Sequence, residues 1–209
     1  MKKYPVVYSY KATNTRELEL SIKTLANIKE WNGKIYVIGD PPNVLCDHIY
    51  KSVRFQRGNT RFKDEFLAYL TAAELVDGFI AMADDIFILK PCSVKNNNRG
   101  TLDDHIKQRN KSDIYTRHLQ NTKAVLDLNG QPTLSYEIHA PFLVDSEKLW
   151  NIEPHMKSSN GFWRSIYGNW FNQDSGYAPD TKHAALNEDT VIYSSNNNSF
   201  NYDEVAKWL

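Results

Sequence analysis

Apolar positions in the first half of the chain fall into two patterns: short unbroken runs, and longer stretches that recur near the helical period. Residues 5–10, Pro-Val-Val-Tyr-Ser-Tyr, are β-branched and aromatic and predict a buried strand. Asn14 followed by Glu17 has capping-box spacing, and Leu18, Ile22, Leu25 and Ile28 follow at helical intervals, so a helix is expected over about 15–30. Trp31-Asn32-Gly33 is expected to end it, and residues 34–38 read as a second strand stopped by Gly39-Asp40-Pro41-Pro42. Strand, helix and strand at this spacing form a βαβ unit with a parallel pair. A third short strand is expected at 49–55. A helix capped by Asn59 or Thr60 then buries Phe62, Phe66, Leu70, Ala73 and Val76 until Asp77-Gly78 breaks it.

Residues 79–89 are the most apolar stretch, interrupted only by Asp84 and Asp85. A run without helical periodicity reads as a strand buried on both faces. Carboxylates in such a place need a partner. Either they hold a divalent cation with a phosphorylated substrate, or they bend the chain and cap local N–H groups. Ligands of open α/β sheets bind at the carboxyl ends of strands, where this pair is expected.

The second half is less regular. Residues 95–100 read as a mobile polar loop, and the segment to Gln108 as a short helix. Residues 113–118 suggest an edge strand, and Asn129-Gly130 a turn. Residues 135–144 suggest a strand broken at His139-Ala140-Pro141. Asp145 is placed to cap a helix from Ser146, and residues 161–170 form an aromatic, helix-like stretch around Arg164. Residues 194–199 read as a flexible Ser/Asn link to a last short amphipathic helix.

Composition narrows the class. A chain of 209 residues is most simply one domain, and 41% hydrophobic with 24% charged content is ordinary for a globular protein. Lys+Arg and Asp+Glu balance at 25 each, so no global field favours nucleic acid or membrane. Without a signal-peptide core or a spanning run, a cytoplasmic protein is expected, with Cys46 and Cys92 as reduced thiols. One local cationic group stands out. Arg57, Arg61 and Lys63 lie around a helix start, where the macrodipole disfavours cations, and Arg16 is placed similarly. A bound phosphate accounts for them; a solvated face is the plain alternative.

A strand and helix, a second strand ending in Asp40, and a strand ending in Asp84-Asp85-Ile86-Phe87 together resemble the GT-A fold of nucleotide-sugar transferases. A closer local resemblance is to the Stealth-type sugar-phosphate transferases of capsule biosynthesis. It runs through residues 17–25 and 34–40, the acid pair, and His139-Ala140-Pro141-Phe142, covering roughly the first 90 residues and a patch around 136–170. The resemblance implies a single GT-A-like α/β domain with a mostly parallel sheet flanked by helices. Residues 1–92 would bind the nucleotide and 93–209 the acceptor. It also implies a nucleotide-sugar donor, an acceptor that is a glycan, phosphoglycan or modified nucleic acid, and Mn²⁺ or Mg²⁺ held by Asp84, Asp85 and His139.

In that scheme Asp85, His139 and Arg164 are the catalytic candidates, with Asp85 matching the last acid of the signature. Tyr8, Arg16, Asp40, Arg57, Arg61, Lys63 and Asp84 are the substrate-binding ones. Asp40 would contact the base or ribose, or else form the turn before its prolines. His139 would serve as general base or metal ligand. Arg164 would bind phosphate or stack on an aromatic face. His183 and Asp189 are further candidates for a metal shell. Two departures stand in the motifs. The acids are adjacent rather than Asp-any-Asp, with Met82 and Ala83 where a further acid belongs. Tyr8 to Ala12 also lacks the acid and glycine that follow the Stealth-type first strand. The alternatives are sugar-1-phosphate transfer and a non-catalytic carbohydrate- or nucleotide-binding module.

Overall fold

The computed structural model describes residues 2–12, 15–44, 47–54, 61–173, 175–182, 186–195 and 202–207. Four parallel strands, β1 (Tyr4–Tyr10), β2 (Trp31–Gly39), β3 (Ile49–Ser52) and β4 (Gly78–Met82), build the main sheet. A fifth, β6 (Phe142–Asp145), runs antiparallel beside β4, and the spatial order is β3-β2-β1-β4-β6. Alternate residues feed two cores. Val7, Ile38, Phe79 and Ala81 face one side, and Val6, Tyr8, Val37 and Ile80 the other. Burial on both faces explains the unbroken apolar runs. The result is a mixed α/β fold with a mostly parallel central sheet flanked by helices, as the alternation of elements implies.

Helix α1 (Thr15–Thr24) stops earlier than its periodicity suggests and passes into a 3-10 turn, Leu25–Asn27. The reason is tertiary. The Thr24 hydroxyl accepts from the Ile88 N–H at 3.0 Å, Asn27 donates to the Ile88 carbonyl at 2.8 Å, and Ile28 bridges to Cys92. Trp31-Asn32-Gly33 therefore begins β2 rather than ending a helix. The Asn14 cap lies outside the described residues, as do Asn59 and Thr60. Glu17 instead accepts a hydrogen bond from Ser195 at 2.7 Å.

The central apolar run is not one strand. After β4 the chain turns through Asp84 and Asp85, and β5 (Ile86–Ile88) joins a separate antiparallel pair with β7 (Ile192–Ser194). Phe87 and Leu89 pack with Leu20 and with Val205 of α8 (Tyr202–Ala206). The run is apolar throughout because Ile80, Met82, Ile86 and Ile88 share one core, while Phe79 and Ala81 enter a second and Phe87 and Leu89 a third.

Helix α2 (Arg61–Ala73) covers the first core through Phe66, Tyr69 and Leu70. Helix α3 (Leu102–Arg109) starts at Thr101, whose hydroxyl accepts from the Asp104 N–H at 3.0 Å. Residues 113–118 are not an edge strand but the start of α4 (Ile114–Leu128), capped by Asp113 accepting from the Thr116 N–H at 2.8 Å. The loop 95–100 is tied down. The Asn96 side chain exchanges two hydrogen bonds with the Leu143 backbone, at 2.7 and 2.8 Å, as a neighbouring strand would. Residues 135–141 form no strand. Tyr136 donates its N–H to Ser165 of α7 (Trp163–Trp170) at 3.0 Å, leaving β6 to start at Phe142. Asp145 caps α5 (Ser146–Asn151), and α6 (Glu153–Ser158) follows.

Candidate active site at the acidic turn

The acidic turn sits at the carboxyl end of β4, where Ile86 donates back to the Ala83 carbonyl at 3.3 Å. Both readings of the acid pair therefore meet: it is a turn, and it lies where such sheets bind ligands. Tyr69 donates its hydroxyl to the Met82 carbonyl at 3.1 Å from one side, and Ser195 donates its N–H to the Asp85 carbonyl at 3.1 Å from the other. The Asp85 carboxylate meets the Lys182 ammonium at 3.3 Å, and the two side chains are 19% and 26% exposed. Both are accessible enough to reach a ligand and enclosed enough for the pairing to matter.

A second cluster adjoins through the same C-terminal segment, since Lys182 donates its N–H to Asp180 at 3.3 Å. Asp180 receives the His139 backbone N–H at 3.0 Å and its ring Nδ1 at 2.9 Å, and pairs with Arg99 at 3.1 Å. Burial alone would raise the Asp180 carboxyl. The hydrogen bonds from His139 and the Arg99 guanidinium outweigh that and hold it below the usual carboxylate range. A carboxylate only accepts, so Nδ1 is the donor of this pair and Nε2 is turned away from Asp180.

Beneath this loop Arg164 is buried and donates to the Ile138 and Ala140 carbonyls, each at 2.9 Å, holding the two residues that flank His139. It also lies 5.6 Å from the ring centres of Phe142 and Trp163. Glu137 accepts from the Ser165 N–H and hydroxyl at 3.2 and 2.8 Å. Burial pushes its carboxyl up to about 7 against the opposing Arg164 charge. A cavity of about 120 Å³ opens beside the loop, lined by Ile138, Ala140, Phe142, Arg164 and Thr181 among others.

At the neighbouring strand end, Asp40 accepts the Ala12 N–H at 3.0 Å and braces the turn after β1, while its own N–H reaches the Tyr10 carbonyl at 2.9 Å. The structure thus gathers Asp84, Asp85, His139 and Arg164, with Asp40 at the end of β2. It does not gather the rest. Tyr8 is corrected from a substrate contact to a core residue. It is 0% exposed, and its hydroxyl is bonded to Ser21 at 2.9 Å, so no ligand in the crevice can touch it. Arg16 and Lys63 stand exposed in the first turns of α1 and α2. Arg57, the Arg61 side chain and His183 lie outside the described residues, and Asp189 is exposed in the turn 187–190.

Sequence reading missed Lys182, Asp180 and Arg99. The segment of Asp180 and Lys182, Pro-Asp-Thr-Lys, carries only turn chemistry, and no local signal links it to residues 41 and 97 positions away or to Arg99 in the Asn-rich loop.

The divalent ion implied by the acid pair does not fit the donors present. Asp85 is already neutralised by Lys182, His139 spends Nδ1 on Asp180, and position 83 is alanine. Among the described residues no three His, Cys, Asp or Glu side chains group closely enough to hold a metal.

Comparison with solved structures places the fold. An active-site mutant of LgtC superposes with a TM-score of 0.50 at 9% identity, over 98% of this chain and 94% of that one. A complex of the galactosyltransferase LgtC with donor and acceptor sugar analogues gives 0.48 at 9% identity, over 98% and 94%. GlyE, a glycosyltransferase of Streptococcus pneumoniae TIGR4, gives 0.40 at 13% identity, with this chain spanning 45% of its length. The first likeness reinforces the GT-A-type architecture. No protein-family model and no curated protein matches the sequence. No described helix is long and apolar enough to cross a membrane.

Proposed function

We propose that this chain is a glycosyltransferase that moves a sugar from a nucleotide-sugar donor to a hydroxyl of a glycan, phosphoglycan or modified nucleic acid. The observation that carries the reading is the acidic turn at the carboxyl end of β4, whose Asp85 pairs with Lys182 and through it adjoins the Asp180–His139 cluster and the loop held by Arg164. Residues 1–92 supply the donor side, with Asp40 near the nucleoside and Asp84 near the sugar or diphosphate. Residues 93–209 supply the acceptor side, and the cytoplasm is the proposed compartment.

The acceptor hydroxyl loses its proton to His139 Nε2, whose other nitrogen Asp180 holds in the required tautomer. The acceptor oxygen bonds the anomeric carbon as the bond to the donor phosphate breaks, its electron pair staying on the diphosphate. Fixed positive charge lowers that barrier. Arg164 acts here by positioning the His139 loop.

Transfer of the sugar together with its phosphate is a second reading. It rests on the sequence resemblance at His139-Ala140-Pro141-Phe142, the loop that Arg164 holds by its carbonyls. A screen of nucleotide-sugars by thermal shift, followed by analysis of the nucleotide released to water, tests both. A ligand at about 100 times its dissociation constant adds roughly 2.7 kcal/mol of stability. Nucleoside diphosphate identifies glycosyl transfer, and nucleoside monophosphate identifies sugar-phosphate transfer. Donor binding without release favours the non-catalytic module, and no shift with any donor rejects the transferase.

A further inference from the structure

The misfit between the acid pair and a divalent ion has a positive counterpart. We infer that the Lys182 ammonium, held on Asp85 at the mouth of the crevice, is the cation that meets the donor diphosphate in place of a metal. This rests on the nucleotide-sugar reading above. An ammonium has three donors, and among the described residues Asp85 is the side chain its Nζ contacts. Its remaining donors can therefore reach phosphate oxygens while Asp85 keeps it in place.

The other cations of the site are committed elsewhere, Arg99 to Asp180 and Arg164 to the carbonyls of Ile138 and Ala140. Lys182 is also anchored at its backbone, where its N–H donates to Asp180, so one short segment sets both the His139 tautomer and the diphosphate contact. In the transfer step the anomeric carbon–oxygen bond breaks and its electron pair moves onto the diphosphate. The acceptor oxygen takes the vacated place on carbon, and its proton goes to His139. Lys182 faces the charge that grows on the departing oxygen and stays protonated throughout.

The experiment is donor binding by isothermal titration, with the nucleotide-sugar found in the screen, in EDTA and again with Mn²⁺. It uses the wild type, Lys182→Met and Lys182→Arg, each checked by near-UV circular dichroism. Wild type is expected to bind equally in both media. Lys182→Met should weaken binding at least about tenfold in EDTA, the loss of a charge-assisted contact, and Lys182→Arg should recover most of it. The methionine variant also frees Asp85, so Mn²⁺ should strengthen its binding while leaving wild type unchanged. Wild-type binding abolished by EDTA and restored by Mn²⁺ would overturn the inference while keeping the transferase reading. So would full-strength binding by Lys182→Met in EDTA. Failure of every nucleotide-sugar to bind wild type, with or without Mn²⁺, overturns the reading and the inference together.

Discussion

Two titratable side chains, one buried and one partly buried, set how this protein should respond to acid. His105 is 3% exposed, bonded through Nδ1 to the Ser135 hydroxyl at 2.9 Å, and held neutral by burial and by the charges of Arg99 and Arg109. Its folded pKa falls from 6.5 to about 4. The stability tied to its neutrality is thus fully present above about pH 6.5 and is lost as pH falls towards 4. The loss should be on the order of 1–3 kcal/mol. Urea unfolding of wild type and His105→Gln at pH 7 and pH 4.5 checks this, and the variant should show a clearly flatter dependence. Asp180 works in a lower window. Its carboxyl is depressed by its partners, so its contribution is present above its ordinary value near 3.8 and disappears below it. Asp180→Asn should cost about 1–3 kcal/mol at pH 7, because Arg99 keeps its charge without its carboxylate. The gap to wild type should begin to narrow only as pH falls below 3.8.

Elements show where local signals suffice. β1, β4 and the second half of β2 were legible because they are buried apolar runs, and α2 because it carries its own period, so local pattern and tertiary role agree there. Residues 113–118 misled because Ile114, Tyr115 and Thr116 favour strands, while the deciding features lie at the Asp113 cap and downstream at Leu119, Thr122 and Leu126. The Asn-rich loop looked mobile because nothing local shows that Asn96 imitates a strand partner for Leu143. At the site, Asp85 and His139 stood out by chemistry, whereas Lys182 and Asp180 acquire meaning only through distant contacts.

Helix α7 supplies an element-scale prediction that reverses the usual propensity rule. Alanine outranks glycine in helices by about 1 kcal/mol. At Gly168, however, an added Cβ would lie 2.6 Å from the ring of Tyr136, which is itself buried. A rigid aromatic ring cannot yield as a flexible chain end would, and overpacking of this kind costs about 1–3 kcal/mol or more. Gly168→Ala should therefore lower stability, and a thermal midpoint equal to or above wild type would contradict that contact.

On the scale of the whole molecule, the crevice is assembled from the turn after β4, the loop at residues 137–140 and the C-terminal segment. The last of these is fixed by β7 pairing with β5 and by Ser195, which gives its N–H to Asp85 and its hydroxyl to buried Glu17 at 2.7 Å. Packing of Val205 against Leu20 and Phe87 adds a further tie. The C-terminal segment therefore meets this one acid twice, at its carbonyl through Ser195 and at its carboxylate through Lys182. Ser195→Ala keeps the N–H bond but deprives Glu17 of a donor, at a cost of about 1–3 kcal/mol. The cost should fall locally. Amides of Ile192–Ser194 should exchange faster, while those of β1 and β2 keep wild-type protection, because neighbouring cooperative units open separately. Donor affinity should fall with it, although Ser195 itself touches no donor in the proposed mechanism, since opening β7 loosens the turn that carries Asp85, the partner of Lys182. If exchange instead quickened evenly across the main sheet, β7 would be part of the global folding unit. The site would then be as rigid as the core, and only contacts made directly by Lys182, His139 and the acids would govern binding.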